Sequence, residues 1–402
     1  MALDLARTAL QIDDMALAIR ERDTGRRQRL HNAVTAIGAF DVERYEALRA
    51  QNEASIRYPA AVVLEPPGAA YDAPALPDDF CVAAVDGSYI DVDRHMAAQC
   101  YLINIGTVTL TYGTHPDARL ESHPRLYAQD DELVVYDEAN GQSQSVEGSV
   151  LSAKRTVEET AALAALVRDL PSGTPTLALT DGSLAYIGLT AGKDPPFVVR
   201  ELLEDGFVAA LQELHHLARS RRLAVAGYIS LPGADEVVGA LRLAGCGYGV
   251  EGSRRCGAPS VGRAPCDVCV GGLRDRDVFA ALLQPGQRSP VFGSSSGTVA
   301  QCYGDQAVRF FYLNAGTEIA RVDLPAWVAD DADLLGLTHG LILDQCRRGP
   351  GYPIALMEAH EQAVVSGGDR QRFAELVEQA LQNNRLPVNT SEKSRSKRLR
   401  WL

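Results

Sequence analysis

Two aspartates in this chain sit in the same short phrase. Cys81-Val-Ala-Ala-Val-Asp86-Gly-Ser-Tyr-Ile90 and Thr176-Leu-Ala-Leu-Thr-Asp181-Gly-Ser-Leu184 are each an apolar run that ends on a carboxylate, a glycine and a serine. An unbroken apolar segment is the pattern of a strand covered on both faces. The glycine lets the backbone turn sharply beside the acid. Asp-Gly is also an ordinary turn signal; its repetition after two strand-like runs is what predicts a shared site. Carboxylates at strand ends can converge in one crevice, where they suit a hard divalent cation.

A third acid is expected from the helix predicted between them, residues 150 to 170. Its apolar face runs Leu163, Leu166, Val167 and Leu170, and steps of three and four carry that face back to Glu159 and Thr156. Glu159 then points at the sheet and its neighbour Glu158 away from it. An inward carboxylate is costly unless it is paired or binds a metal; the alternative is a solvated position at the rim.

These residues need a scaffold, and the order of elements supplies one. After the first aspartate strand, residues 97 to 110 and 133 to 136 read as further strands of one sheet. The helix, the second aspartate strand, a helical stretch over 197 to 220 and a strand over 223 to 230 follow. Three strands, a helix, a strand ending in Asp and then alternating helix and strand is the order of an α/β, RNase H-like core, a mixed sheet flanked by helices. Residues 1–54 form an N-terminal helical arm, read as two helices broken near Thr24-Gly25, that could pack on its own domain, a second subunit or a partner. Residues 55–79 are a Pro-rich connector, 80–385 the core with a Cys-containing insert at 245–272, and 386–402 a basic C-terminal tail.

The composition, 46% hydrophobic and 23% charged over 402 residues, is that of a globular protein. No apolar run approaches the ~20 residues of a membrane-spanning helix, so no membrane association and a cytoplasmic location are expected. A formal net charge of −13 argues against a generally basic, nucleic-acid-coating protein but leaves room for a local basic groove. Cys246, Cys256, Cys266 and Cys269, in a Gly- and Arg-rich stretch, are candidates for a structural zinc site; four reduced thiols in a loop is the other reading. In the tail, Lys393, Arg395, Lys397 and Arg398 could bind DNA phosphates or simply be solvated.

Taken together the motifs resemble the NurA nuclease family. The likeness is carried by the two Asp-Gly-Ser phrases, Asp275 with Val278-Phe279, Gly286-Gln-Arg-Ser289, Phe311-Tyr312, Ala320-Arg321 with Leu324-Pro-Ala-Trp327, and Gly351-Tyr-Pro-Ile-Ala-Leu356 with Glu358-Ala-His-Glu-Gln-Ala363. The resemblance implies a manganese-dependent deoxyribonuclease with 5'-3' exonuclease and single-strand endonuclease activity on single-stranded and duplex DNA ends. It implies a homodimer partnered by a HerA-like hexameric ATPase in end resection, double-strand break repair or defence. It also places Asp86, Asp181, Tyr352 and His360 at active-site positions; on residue pattern alone Tyr352 and His360 read as packing residues. Asp86, Glu159, Asp181 and His360 would hold two Mn2+ ions, with Mg2+ as the alternative. The chain has no Gly-x-x-x-x-Gly-Lys-Ser/Thr nucleotide loop, so ATP-driven translocation has to come from another protein. The contrasting reading is a non-catalytic DNA-binding or scaffold subunit; three inward carboxylates disfavour it.

Overall fold

The computed structural model describes residues 4–52, 58–92, 98–186, 188–189, 194–245 and 269–388. Cys246, Cys256 and Cys266 of the expected zinc site and Lys393, Arg395, Lys397 and Arg398 of the tail lie outside the described residues; Cys269 lies inside them and is exposed. The chain divides into two compact units, one of residues 1–73, 230–296 and 309–322, the other of 74–229, 297–308 and 323–402.

In the first unit the arm is a single helix, Leu5–Gly38, followed by a second, Val42–Asn52. The expected break near Thr24-Gly25 does not occur. A glycine inside a long helix costs only ~1 kcal/mol, and the helix instead stops just before Asp41, whose carboxylate accepts the Arg44 N–H at 3.0 Å and so caps the next helix. The later part of the arm is core: Ala33, Ile37 and Tyr45 are buried, and the Tyr45 hydroxyl donates to the Ala61 carbonyl at 2.6 Å. The early part exposes Leu5, Leu10, Ile12, Met15, Leu17 and Ile19. Asp275 is wholly buried and accepts hydrogen bonds from the Val237 N–H, the Val238 N–H and the Tyr312 hydroxyl at 3.0, 2.8 and 2.8 Å.

The second unit holds a mixed sheet of β1 (Phe80–Ile90), β2 (Tyr101–Tyr112), β3 (Asp117–Tyr127), β4 (Thr176–Asp181) and β5 (Leu223–Ile229), in the order β5-β4-β1-β2-β3. β1 and β2 pair antiparallel, as do β2 and β3; β1 with β4 and β4 with β5 pair parallel. The expected strand at 133–136 is not part of this sheet: Val134–Asp137 forms a separate hairpin with Gln142–Ser145. The sheet's third strand is β3, ten of whose eleven residues are exposed. An edge strand can be polar and carry a proline such as Pro124, and the apolar pattern therefore pointed past it.

Two helices cover the centre of this sheet. Helix α1 (Ser149–Asp169) packs through Leu151, Leu163 and Val167. Tyr101, Ile103 and Ile105 of β2 join the same core cluster as Leu151. Helix α2 (Ile354–Ala363) begins after Pro353, the residue type suited to a helix start, and lies on β1 and β2. Alternation along β1 sorts its residues between the two. Asp86 and Ser88 meet α2, and Gly87 meets α1.

Candidate active site

Asp86 stands where β1 passes beneath α2, and its Oδ2 lies 2.8 Å from His360 Nδ1. The Asp86 side chain is 13% exposed and that of His360 61%, so the pair opens outward rather than into a core. His360 reaches this position because α2 sits unusually close to β2. Opposite Asp86 in the β-ladder is Gly106. A Cβ there would lie 2.6 Å from Ala363 N and 2.9 Å from Gln362 Cβ, with the Ala359 carbonyl closer still.

Glu159 approaches from the other face through a similar gap. A Cβ on Gly87 would stand 2.5 Å from Glu159 Oε1 and 3.0 Å from its Cγ. Glu159 is buried, and its Oε1 has no hydrogen-bond partner among the described residues. The cation beside it is Arg155, a helical turn earlier, whose guanidinium is 3.3 Å from Oε1 and donates to the Gly87 carbonyl at 2.8 Å. Burial pushes the Glu159 carboxyl up to about 8; Arg155 opposes that rise, and the charges of Asp86 and Asp181 add to it. Glu158 is engaged elsewhere, accepting from the Tyr127 hydroxyl beside Lys154, whose ammonium lies 4.6 Å from the Tyr127 ring centre.

Asp181 ends β4, adjacent to β1, exposed as a residue at the strand end but with its carboxyl turned among neighbouring side chains. Desolvation of its carboxyl raises its pKa, the Tyr352 hydroxyl opposes that by hydrogen bonding, and Asp86 raises it further. Tyr352 stands just before α2, its ring edge-on to Tyr228 at 5.3 Å, and Tyr228 is the ladder partner of Asp181.

The structure thus brings Asp86, Glu159, Asp181, Tyr352 and His360 into one neighbourhood of the second unit. The sequence reading had not singled out Arg155, Ser88, Asn104 or Gly106. Arg155 could have been found from its four-residue spacing to Glu159 on one helix, and Ser88 from the repeated phrase; Gly106 carries no local signal, since a close approach from residues far along the chain is invisible in a strand.

Among the described residues, no group of three or more His, Cys, Asp or Glu side chains is placed closely enough to hold a metal ion. The donor chemistry nonetheless fits a divalent cation. Mutually repelling carboxylates, one of them buried, ion-paired to Arg155 and without a hydrogen bond on Oε1, gain from a hard cation.

Comparison with known proteins gives the family of the chain. The family model of the NurA domain matches residues 81–365. The chain belongs to the NurA family. No curated protein matches it. Among solved structures, one described as "Crystal structure of NurA bound to dAMP and manganese" is 13% identical, with 78% of this chain and 90% of that one covered and a TM-score of 0.33.

Proposed function

We propose that this NurA-family chain is a metal-dependent deoxyribonuclease that hydrolyses phosphodiester bonds at DNA ends. The observation that carries the reading is the meeting of Asp86, Glu159 and Asp181 beside His360, with Glu159 buried and lacking a hydrogen bond on Oε1. The strand order β3-β2-β1-β4-β5, with acids on β1, α1 and β4, supports an RNase H-like core.

Asp86, Glu159, Asp181 and His360 would hold the ions, manganese or magnesium. Bound there, such ions supply a nucleophilic water at neutral pH and neutralise charge on the attacked phosphate and leaving oxygen. Asp86 is placed to orient His360 through Nδ1. The Tyr352 hydroxyl orients Asp181. Arg155 offsets part of the acid repulsion around Glu159 and ties α1 to the backbone beside Asp86.

In this reading the enzyme is a cytoplasmic homodimer that acts as 5'-3' exonuclease and single-strand endonuclease, fed by a HerA-like hexameric ATPase, in end resection, repair or defence. No described helix is long and apolar enough to cross a membrane. The early arm, whose exposed apolar residues from Leu5 to Ile19 support the reading, would be the ATPase-docking element. The four cysteines would hold one structural zinc; elemental analysis after EDTA washing is expected to return about one zinc per chain, and four freely alkylated thiols without zinc would leave only a loop. The tail lysines and arginines would bind DNA phosphates.

The deciding assay is cleavage of labelled linear DNA in manganese against EDTA, with Asp86→Ala as control. Manganese-dependent cleavage lost in Asp86→Ala is expected. Cleavage that survives in Asp86→Ala would remove Asp86 from the mechanism, and DNA binding without cleavage would favour the scaffold reading.

A further inference from the structure

We infer that Ser88 and Asn104 form a two-strand latch that positions His360, a role whose functional part rests on the nuclease reading. Ser88 on β1 and Asn104 on β2 are ladder partners, two residues from the Asp86–Gly106 pair. Their side chains converge on one acceptor, the carbonyl of Ala363, the last residue of α2. Ser88 Oγ donates to it at 2.5 Å and Asn104 Nδ2 at 2.9 Å. Asn104 Nδ2 also lies 3.1 Å from the Gln362 carbonyl, and its Oδ1 accepts from Ser122 Oγ at 3.0 Å, which fixes the orientation of the amide.

The last carbonyls of a helix lack partners within the helix, and here the sheet supplies them. The chain leaves α2 at once, with Val364 extended. Ala363 is three residues after His360 and shares its side of the helix. Sliding or rotating α2 would therefore break the latch and the contact with Asp86 together. His360 needs such help because its side chain is 61% exposed and gains little from packing. Asn104, by contrast, is buried, and removing its amide takes a donor from the Gln362 carbonyl and leaves Ser88 alone on that of Ala363. In each Asp-Gly-Ser phrase the serine anchors: Ser183 Oγ donates to the buried Asp323 at 2.5 Å, as Ser88 does to Ala363.

The test uses the full chain labelled with 15N-histidine and free of metal, in which His360→Asn identifies the ring signals of His360. Wild type is expected to show one defined tautomer, and Asn104→Leu, of similar bulk, a signal moved toward a freely solvated histidine. Ser88→Ala should move it the same way with little risk to folding, and Ser88→Thr should restore it. In manganese, Asn104→Leu should lower kcat roughly 10- to 100-fold with KM for DNA unchanged, as a misplaced catalytic group does. Adding Asn104→Leu to His360→Asn should then cost nothing further. Unchanged His360 signals in both variants, or a full additional loss in the His360→Asn background, would overturn the latch and leave an ordinary helix cap. Absence of manganese-dependent cleavage in the wild type would instead remove the nuclease reading, with the histidine signals still deciding the latch.

Discussion

Gly106→Ala isolates the seating of α2 from the chemistry of the site, since the change adds one methyl group on the strand opposite Asp86. Its Cβ would fall 2.6 Å from Ala363 N and 2.9 Å from Gln362 Cβ, with the Ala359 carbonyl nearer still. Ordinary contact is about 3.5 Å, so α2 has to lift by close to ~1 Å, and the opposing atoms are mostly backbone that cannot swing aside. Overpacking of this kind costs ~1–3 kcal/mol, while the stiffer unfolded chain returns only ~0.4–1 kcal/mol. The net loss, centred near ~1 kcal/mol and at most about 2.6 kcal/mol, should lower the melting temperature by up to roughly 10 °C for a unit of this size. The rate should suffer more than the stability, because a 2.8 Å contact between His360 and Asp86 does not survive such a shift. A misplacement of about 1 Å can cost on the order of 100-fold. Calorimetric melting and single-turnover cleavage in manganese measure the two effects separately. Wild-type melting together with a rate within about twofold of wild type would refute the close seating of α2 on Gly106.

Glu159→Gln is expected to abolish manganese-dependent cleavage and Glu158→Gln to leave most of it, since the amide oxygen introduced by the second change can still accept from Tyr127; the opposite ranking in a cleavage assay would reverse the assignment. Asp275, pushed up from 3.8 to about 6 by burial against its three hydrogen bonds, keeps its proton in the folded state where the unfolded chain has released it. The stability it lends is therefore full below about pH 4 and lost as pH rises through about 6. Asp275→Asn should flatten the melting temperature over that interval relative to wild type, and parallel profiles would show that Asp275 does not titrate there. Removing residues 1 to 20 should weaken binding to a HerA-like ATPase while sparing manganese binding measured by calorimetry, and full-affinity co-elution would place the contact elsewhere. A longer deletion would confuse the result, because Ala33, Ile37 and Tyr45 belong to the core of the first unit.

What the sequence made legible was what physical chemistry writes locally. The apolar runs before Asp86 and Asp181 are strands, and Glu159 falls on the buried side of α1, as helical periodicity required. Glu158, expected to turn away from the sheet, instead reaches Tyr127 at the end of β3, because a long side chain at the flank of a helix can still meet an edge strand. Local pattern failed at β3, whose polar, exposed residues carry no core signal, and at Gly25, a weak helix breaker that a long helix tolerates. His360 also misled, because Leu356 and Ala363 on its helix are buried while its own ring reaches outward to a carboxylate on another element. Contacts such as Ser88 with Ala363 join residues 275 positions apart, and no local reading can find them.

The distance along the chain between Asp86 and His360, 274 positions, sets when the candidate site can assemble. A chain emerging from the ribosome can pair β1 with β2 and bring up α1 long before α2 exists. During that interval it would carry the early acids without Tyr352 or His360, and with the Ser88 and Asn104 donors still lacking the Ala363 carbonyl. Closing so long a loop is among the slower steps of folding. The candidate site is therefore completed late in synthesis, and a truncated or half-folded copy would hold its acids without the residues that α2 brings.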